Sequence, residues 1–458
     1  MSGGTAVRPG RRTVRVRQFD LRGAADRLWL VDPGRPVPWT RWLLAVLAVG
    51  GGTVLSLLRQ AGAGALDTLW AEDGRVFLAD AAARSTLDAL ATPYGGYFNT
   101  VPRLLAEVMV WFPADRAAAV AAVEAAVVTS VLALVVFTAC RSHLTEVPLR
   151  LLVSVPMVVV PVGMAEVPNS ISYLHWPLLY TSLWMFVWVP ASRTGRLVAT
   201  AVVVLTVLSD LLALVFVPLA VARWYVRRDR HSALLAGVLV VGLGLQFGTM
   251  ALGVNQRGPA FAPPRPDPVW ALLEFVLRPV PQAVLGERLV SGRIDAGYLP
   301  VAMLGWLVVA AVVVVALRRL SRPDWPLAAV LAGGALALYV ESLIGGGQSI
   351  VRYAVAPALM TLAALAALVR PARDDRPGRW KSVPMYALVG LLTVVCAVNL
   401  RTHNARADGP PWHTTLAEAR AVCAGLPPDA VVRVPVPPGQ VAVLPCPYLR
   451  RGAARPAR

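Results

Sequence analysis

AAAVAAVEAAVVTSVLALVVFTAC, residues 117–140, is a long apolar run holding a single acidic or basic side chain, Glu124. A bilayer crossing takes about 20 such residues in a helix, so this stretch reads as a membrane span. Working outward, comparable runs recur near 41–59, 151–165, 173–190, 196–208, 210–224, 231–253, 298–317, 326–344, 353–369 and 383–400. Hydrophobic residues make up 57% of the chain and charged ones 15%, against roughly 25% charged in a soluble domain. The expectation is an all-α polytopic membrane protein of about 11 transmembrane helices.

A net charge of +18 raises the question of nucleic acid. However, 43 of the 44 basic residues are Arg, Lys381 being the one Lys, and they gather in short clusters between apolar runs. No basic groove with interleaved aromatics is present, so no nucleic-acid partner is expected. Such clusters are topology signals, because cytoplasmic loops carry the excess of Arg and Lys. Arg8, Arg11, Arg12, Arg15, Arg17, Arg22, Arg27 and Arg35 precede the first span and place the N-terminus inside. That tail lacks an apolar core followed by a cleavage site and does not read as a signal peptide. Alternation then puts inside Arg141 and Arg150, Arg193 and Arg196, Arg223 to Arg230, Arg318 to Arg322, and Arg370 to Lys381. The scheme requires 196–224 to break at Ser209-Asp210 into two short helices, shielded from lipid by neighbours. It leaves the C-terminus outside. The Arg-over-Lys, Ala-Val-rich usage fits a GC-rich bacterial genome, hence a bacterial plasma membrane.

Three regions follow: a basic cytoplasmic tail (1–40), a transmembrane domain (41–400) and a small extracytoplasmic segment (401–458). The outer loops are 60–116, 254–297 and 345–352. The first holds Trp70-Ala71-Glu72-Asp73-Gly74, two adjacent carboxylates beside a Trp. Asp67, Asp80 and Asp88 read as the solvated face of a helix lying on the membrane, with Leu66, Leu69, Trp70, Phe77 and Leu78 buried in the interface. A turn containing Tyr94, Tyr97 and Asn99 comes next, then a helix near 101–113 carrying Arg103. Glu166 to Trp176 forms a short outer turn in which Asn169, Tyr173, His175 and Trp176 suit a sugar, since aromatic faces stack on pyranose rings and amides bond hydroxyls. Arg352-Tyr353 follows three glycines at the mouth of a span, and Glu341, an ionisable residue near the outer end of its span, is a site candidate by default, the plainer alternative being a pair with Arg352. Arg257, Arg265, Arg288 and Arg293 are either lipid-groove residues or solvated loop charges. The stretch 270–285 reads as a further interfacial helix.

An acidic motif in a long first outer loop, then a Gly-Tyr-rich turn and Pro102-Arg103, resembles the GT-C superfamily of integral-membrane glycosyltransferases, in an actinobacterial-like form. At residue level the resemblance covers 67–103 and, more thinly, 345–357. It implies transfer of a sugar from a polyprenyl-phosphate donor to a glycan or lipid-linked acceptor at the outer face. Asp73 would take the place of the catalytic acid, with Glu72 as neighbour or alternate. A base that removes the acceptor's proton is worth roughly 10²–10⁴ in rate. Arg352, Arg103 and Tyr353 are the candidates for the donor phosphate, where a planar guanidinium suits developing charge. Tyr97, Asn99, Asn169, Tyr173, His175 and Trp176 are the candidates for substrate. A divalent cation is possible, yet Glu166 is the one candidate for a second acidic motif, and no Cys or His metal spacing or phosphate-cradling glycine loop occurs. The alternatives are a transporter or lipid-linked-glycan flippase, which calls for internal repeats and mid-membrane polar residues, and a non-catalytic envelope-assembly protein.

Cys140 and Cys396 lie in apolar spans and read as packing residues. Cys423 and Cys446 lie in the outer tail, where oxidation is permitted, and are expected to form a disulfide. A helix over 417–422 and a strand over 431–436 make a unit too small to build much core alone.

Overall fold

Ten of the eleven apolar runs are largely helical in the computed structural model, whereas 151–165 is helical only as far as Met157 and irregular beyond it; the structure describes residues 21–32, 34, 38–253, 264–292, 294–318, 321–371, 379–401 and 405–451. Arg8, Arg11, Arg12, Arg15, Arg17, Arg35, Arg257, Arg293, Arg319, Arg373 and Arg376 lie outside those residues. Among the described residues, seven helices are long and apolar enough to cross a membrane: Trp39–Leu58, Ala114–Ser142, Arg230–Ala251, Tyr298–Leu317, Trp325–Gly346, Val351–Leu368 and Trp380–Val398. The other four runs hold the shorter helices Val147–Ser154, His175–Val187, Arg193–Val207 and, after a two-turn 3₁₀ segment, Val217–Arg227. His175–Val187, at 13 residues, spans about 20 Å at 1.5 Å per residue, less than the roughly 30 Å of a hydrocarbon core. All but its first residue are buried, as short helices inside a bundle must be.

Helix starts follow the polar residues that precede them. Ser192 accepts from Gly195 N, Asp229 from Ser232 N, Asp267 from Trp270 N and Asp324 from Leu327 N, which satisfies amide groups that a first turn leaves unpaired. At the Ser209-Asp210 break, Asp210 accepts from Leu212 N at 2.8 Å. The chain reverses there. Leu208 O and Ser209 Oγ accept from Thr100 N and Val101 N at one end of the bundle, while Arg223 donates to Met185 O and Phe186 O at the other. Residues 270–285 form two helices, Pro268–Leu277 and Pro279–Leu285, because Pro279 cannot continue the first.

Contacts sort the connections into two groups. One gathers segments 28–32, 141–143, 186–190, 321–324 and 370: Asp32 binds Arg141 at 2.7 Å and Trp188 at 2.9 Å, and Asp324 binds His143 at 3.0 Å and Arg370 at 2.9 Å. The other gathers 60–113, 158–176, 345–354 and 405–451. The tail is more than a helix and a strand. Trp412–Ala424 packs on an antiparallel hairpin, Val431–Val436 with Gln440–Pro445, followed by Cys446–Leu449. A Cys423–Cys446 disulfide joins its two helices.

This tail is not a separate appendage. Trp412 Nε1 donates to Ala114 O at 2.9 Å, and His413 binds Asp67 through its backbone N at 2.9 Å and its ring Nδ1 at 2.5 Å. Two glycines record how closely it seats: a Cβ on Gly62 would lie 2.2 Å from Ala407 O, and one on Gly74 2.9 Å from Val436 Cγ2. The unit thus completes its small core against the 60–116 segment.

Candidate active site

Asp73 opens a π-helical turn, Asp73–Leu78, of the kind found at functional sites. The preceding Ala71 is left-handed, with φ +46°, a strained value for a residue with a Cβ. Its amide donates to Pro437 O of the tail hairpin at 2.7 Å. The distortion separates the two carboxylates. Glu72 turns toward Tyr173 Oη, 2.9 Å from its Oε2. Asp73 turns inward and is 1% exposed.

The buried carboxylate is gripped on one side only. Ser170 Oγ donates to its Oδ1 at 3.0 Å and Ser172 N at 2.8 Å, and Ser172 Oγ makes a third, short hydrogen bond to the same oxygen. Among the described residues no hydrogen bond is made to Oδ2. The serines are aimed by Asn169, whose φ of +58° is one that Asn tolerates. Its side chain is locked to Ser56, accepting from Oγ at 2.8 Å and donating to O at 2.9 Å. Burial pushes the Asp73 pKa up to about 6, against the Ser172 hydrogen bonds and the charge of Arg406, which hold it down.

Arg406 is a residue that sequence reasoning missed. It is 2% exposed, donates from Nη2 to Asn169 O at 3.0 Å and from Nη1 to Pro168 O, and lies over the Trp70 ring at 5.6 Å. Burial lowers its own pKa to about 10 while Asp73 pulls it up. No motif pointed to it, because it comes from a tail more than 300 residues downstream of Asp73.

Beside this pair lies a half-buried cluster. Arg352 binds Glu166 at 2.6 Å and stands 5.3 Å and 5.5 Å from the Tyr173 and Tyr353 rings. The alternative Arg352–Glu341 pair does not form: Glu166, on the 158–174 loop, reaches the guanidinium first. Trp176 continues the aromatic wall, 5.7 Å from Tyr353 and 4.7 Å from His175. His175 is turned by Ser172 O at 3.0 Å and Asp210 at 3.7 Å. Arg75, also missed, donates to Tyr94 Oη at 2.5 Å. Burial, and then the charge of Glu72, push Tyr94 up to about 12, while Arg75 and Arg352 pull it down.

Four candidates sit elsewhere or are committed. Arg103 binds Asp80 at 3.0 Å and lies over Phe77, with Nε and Nη2 buried and unbonded. Asp80 also binds Arg84, which bridges to Asp88, so those acids are an ion-pair network and not a free solvated face. Asn99 spends its amide on Tyr94 O and Tyr97 O at 3.1 Å and 3.0 Å, tying the turn that carries Tyr97. Arg265 pairs with Asp267 and stacks on Trp270, and Arg288 Nη1 donates to Val398 O. Among the described residues no group of three or more His, Cys, Asp or Glu converges as metal ligands do.

No protein-family model matches this chain, and no curated protein does. Among solved structures it is similar to ArnT from Cupriavidus metallidurans bound to undecaprenyl phosphate, with 16% identity and a TM-score of 0.46 over 85% of this chain and 82% of that one. At that identity and score the likeness fixes neither topology nor activity.

Proposed function

We propose that this protein transfers a sugar from a polyprenyl-phosphate donor to an acceptor hydroxyl, with Asp73 as general base, at the extracytoplasmic face of a bacterial plasma membrane. The observation that carries the reading is the one-sided grip on Asp73: three donors fix Oδ1 and leave Oδ2 to take a proton. A pKa near 6 keeps the group ionised at neutral pH yet basic enough to work, as a general base requires.

The acceptor oxygen attacks the anomeric carbon and its proton passes to Asp73 Oδ2. The bond between that carbon and the phosphate oxygen breaks, with the electron pair leaving on phosphate. Arg352, with Arg75 across the tyrosines, meets the charge that develops there. Tyr173, His175, Trp176 and Tyr353 offer ring faces to the sugar, and Glu72, oriented by Tyr173, accepts from its hydroxyls. Asn99 and Asn169 shape the walls from behind, and Tyr97 sits on the turn that Asn99 holds.

Asp73→Asn keeps the shape and removes the base. Transfer from polyprenyl-phosphate sugars in vitro should fall by roughly 10²–10⁴. Undiminished transfer would sink the base assignment, and no transfer by the unmutated protein from any such donor would favour a flippase or an assembly role. Orientation rests on the Arg distribution and on the disulfide. In intact cells, a membrane-impermeant reductant followed by an impermeant thiol reagent should label Cys423 and Cys446. Labelling only after lysis would put the tail, and Asp73 with it, inside.

A further inference from the structure

The Asp73 centre holds as many acids as cations. Arg75, Arg352 and Arg406 stand against Glu72, Asp73 and Glu166: Arg352 binds Glu166 at 2.6 Å, the charge of Arg406 acts on Asp73, and those of Glu72, Arg75 and Arg352 all act on Tyr94. A phosphate group therefore enters a site with no surplus positive charge. Because carboxylate and phosphate oxygens compete for the same guanidinium donors, one of the three acids must give way before the phosphate is held tightly.

The three are not equally able to move. Asp73 is 1% exposed and takes hydrogen bonds from Ser170, Ser172 N and Ser172 Oγ. Glu72 is held at both oxygens, Oε2 by Tyr173 Oη at 2.9 Å and Oε1 by Gln440 Nε2 at 3.5 Å. Glu166 depends on the cation itself: among the described residues its carboxylate has one hydrogen-bond partner, Arg352 Nη1. Its side chain is 27% exposed, and Oε1 is neither bonded nor enclosed. Letting go of Arg352 breaks one hydrogen bond and returns the carboxylate to water, the least costly of the three releases. Arg352 keeps its place without Glu166, since the Tyr173 and Tyr353 rings lie 5.3 Å and 5.5 Å from its guanidinium. Its Nε and Nη2 make no hydrogen bond among the described residues and are not enclosed, so an incoming oxyanion can engage the fork before Glu166 departs.

On the sugar-transfer reading above, on which this rests, we infer that Glu166 is a displaceable counter-ion: it holds the phosphate's place on Arg352, yields it to the donor, and reclaims it as the lipid phosphate leaves. Glu166 thereby sets how tightly the lipid phosphate is held. A bridge closed in about nine of ten molecules lowers apparent affinity about tenfold, because affinity scales with the competent fraction. The device favours turnover, since the departing monoester carries more negative charge than the diester donor and would otherwise linger on Arg352.

The test is the affinity of the full-length detergent-solubilised protein for undecaprenyl phosphate, read by microscale thermophoresis. Glu166→Gln keeps the side chain's shape and Glu166→Ala removes it, and each should lower Kd roughly tenfold. A residue that merely props its loop loses affinity when replaced, so a gain separates the two roles even where one of the variants fails to fold. Arg352→Gln should raise Kd, and adding Glu166→Gln to it should bring no tightening, because the bridge is already gone. Binding by the unmutated protein with Glu166 variants equal or weaker would overturn the counter-ion role and leave the transfer reading standing. Tightening of the same size in the Arg352→Gln background would mean that Glu166 acts by repulsion through space, which overturns the bridge. No binding by any of these proteins would overturn the donor class, and the counter-ion with it.

Discussion

Asp324 and Asp73 are both buried aspartates at helix starts, at opposite ends of the bundle, and their surroundings set them apart. Asp324 is closed on itself: His143 and Arg370 bind one oxygen and Leu327 N the other. Burial alone would raise its pKa, but the hydrogen bond and charge of His143, with Arg370, outweigh that and bring it below the ordinary value. Asp73 is held through one oxygen by serines and a backbone amide, its cation set at one remove, and burial wins. A carboxylate paired on both sides fastens helices together. One held on a single side and raised to about 6 is ready to exchange a proton.

The two also carry opposite pH signatures. The stabilisation from Asp324 is present above the ordinary carboxylate range and is lost as pH falls through its lowered pKa. Asp73 binds its proton more tightly folded than unfolded, so its ionisation costs stability above pH about 6, and that cost is relieved as pH falls toward the ordinary value.

The comparison breaks most sharply under matched substitution. Asp73→Asn should cost transfer while melting no lower than the unmutated protein, since it removes a buried charge. Asp324→Asn should do the reverse, losing roughly 3–5 kcal/mol of stability as a broken buried pair does, with turnover per folded molecule preserved. Thermal melting in detergent beside a transfer assay reads both, and a shared phenotype would erase the distinction. A smaller effect belongs to Arg406→Gln. Without that charge the Asp73 pKa should rise, moving the acid limb of transfer upward by on the order of one pH unit; an unmoved limb would mean that Arg406 only props the 168–169 backbone.

Much of the fold was legible because hydropathy and Arg placement are local signals. Ten of the eleven runs are largely helices, 151–165 leaving its helix after Met157, and even the break at Ser209-Asp210 announces itself as two polar residues inside an apolar stretch. Asp73 was legible as one of two carboxylates in an apolar setting, and the cysteine pair through its place in the tail. The partners were not. Ser170 and Ser172 sit in an irregular loop whose register no periodicity reveals, and Arg406 arrives from the tail, whose docking depends on Gly62 and Gly74 leaving room. The carboxylate beside Arg352 was not legible either, because Glu341 is near in sequence while Glu166 is near in space.

The most direct test of the central claim is the pH dependence of kcat/KM for sugar transfer across about pH 5 to 8, where a general base must lose its proton to act. With Asp73 as the base, the rate rises with pH through a single limb near 6, absent from the residual rate of Asp73→Asn. A rate flat across that range, or a limb that survives in Asp73→Asn, would contradict it.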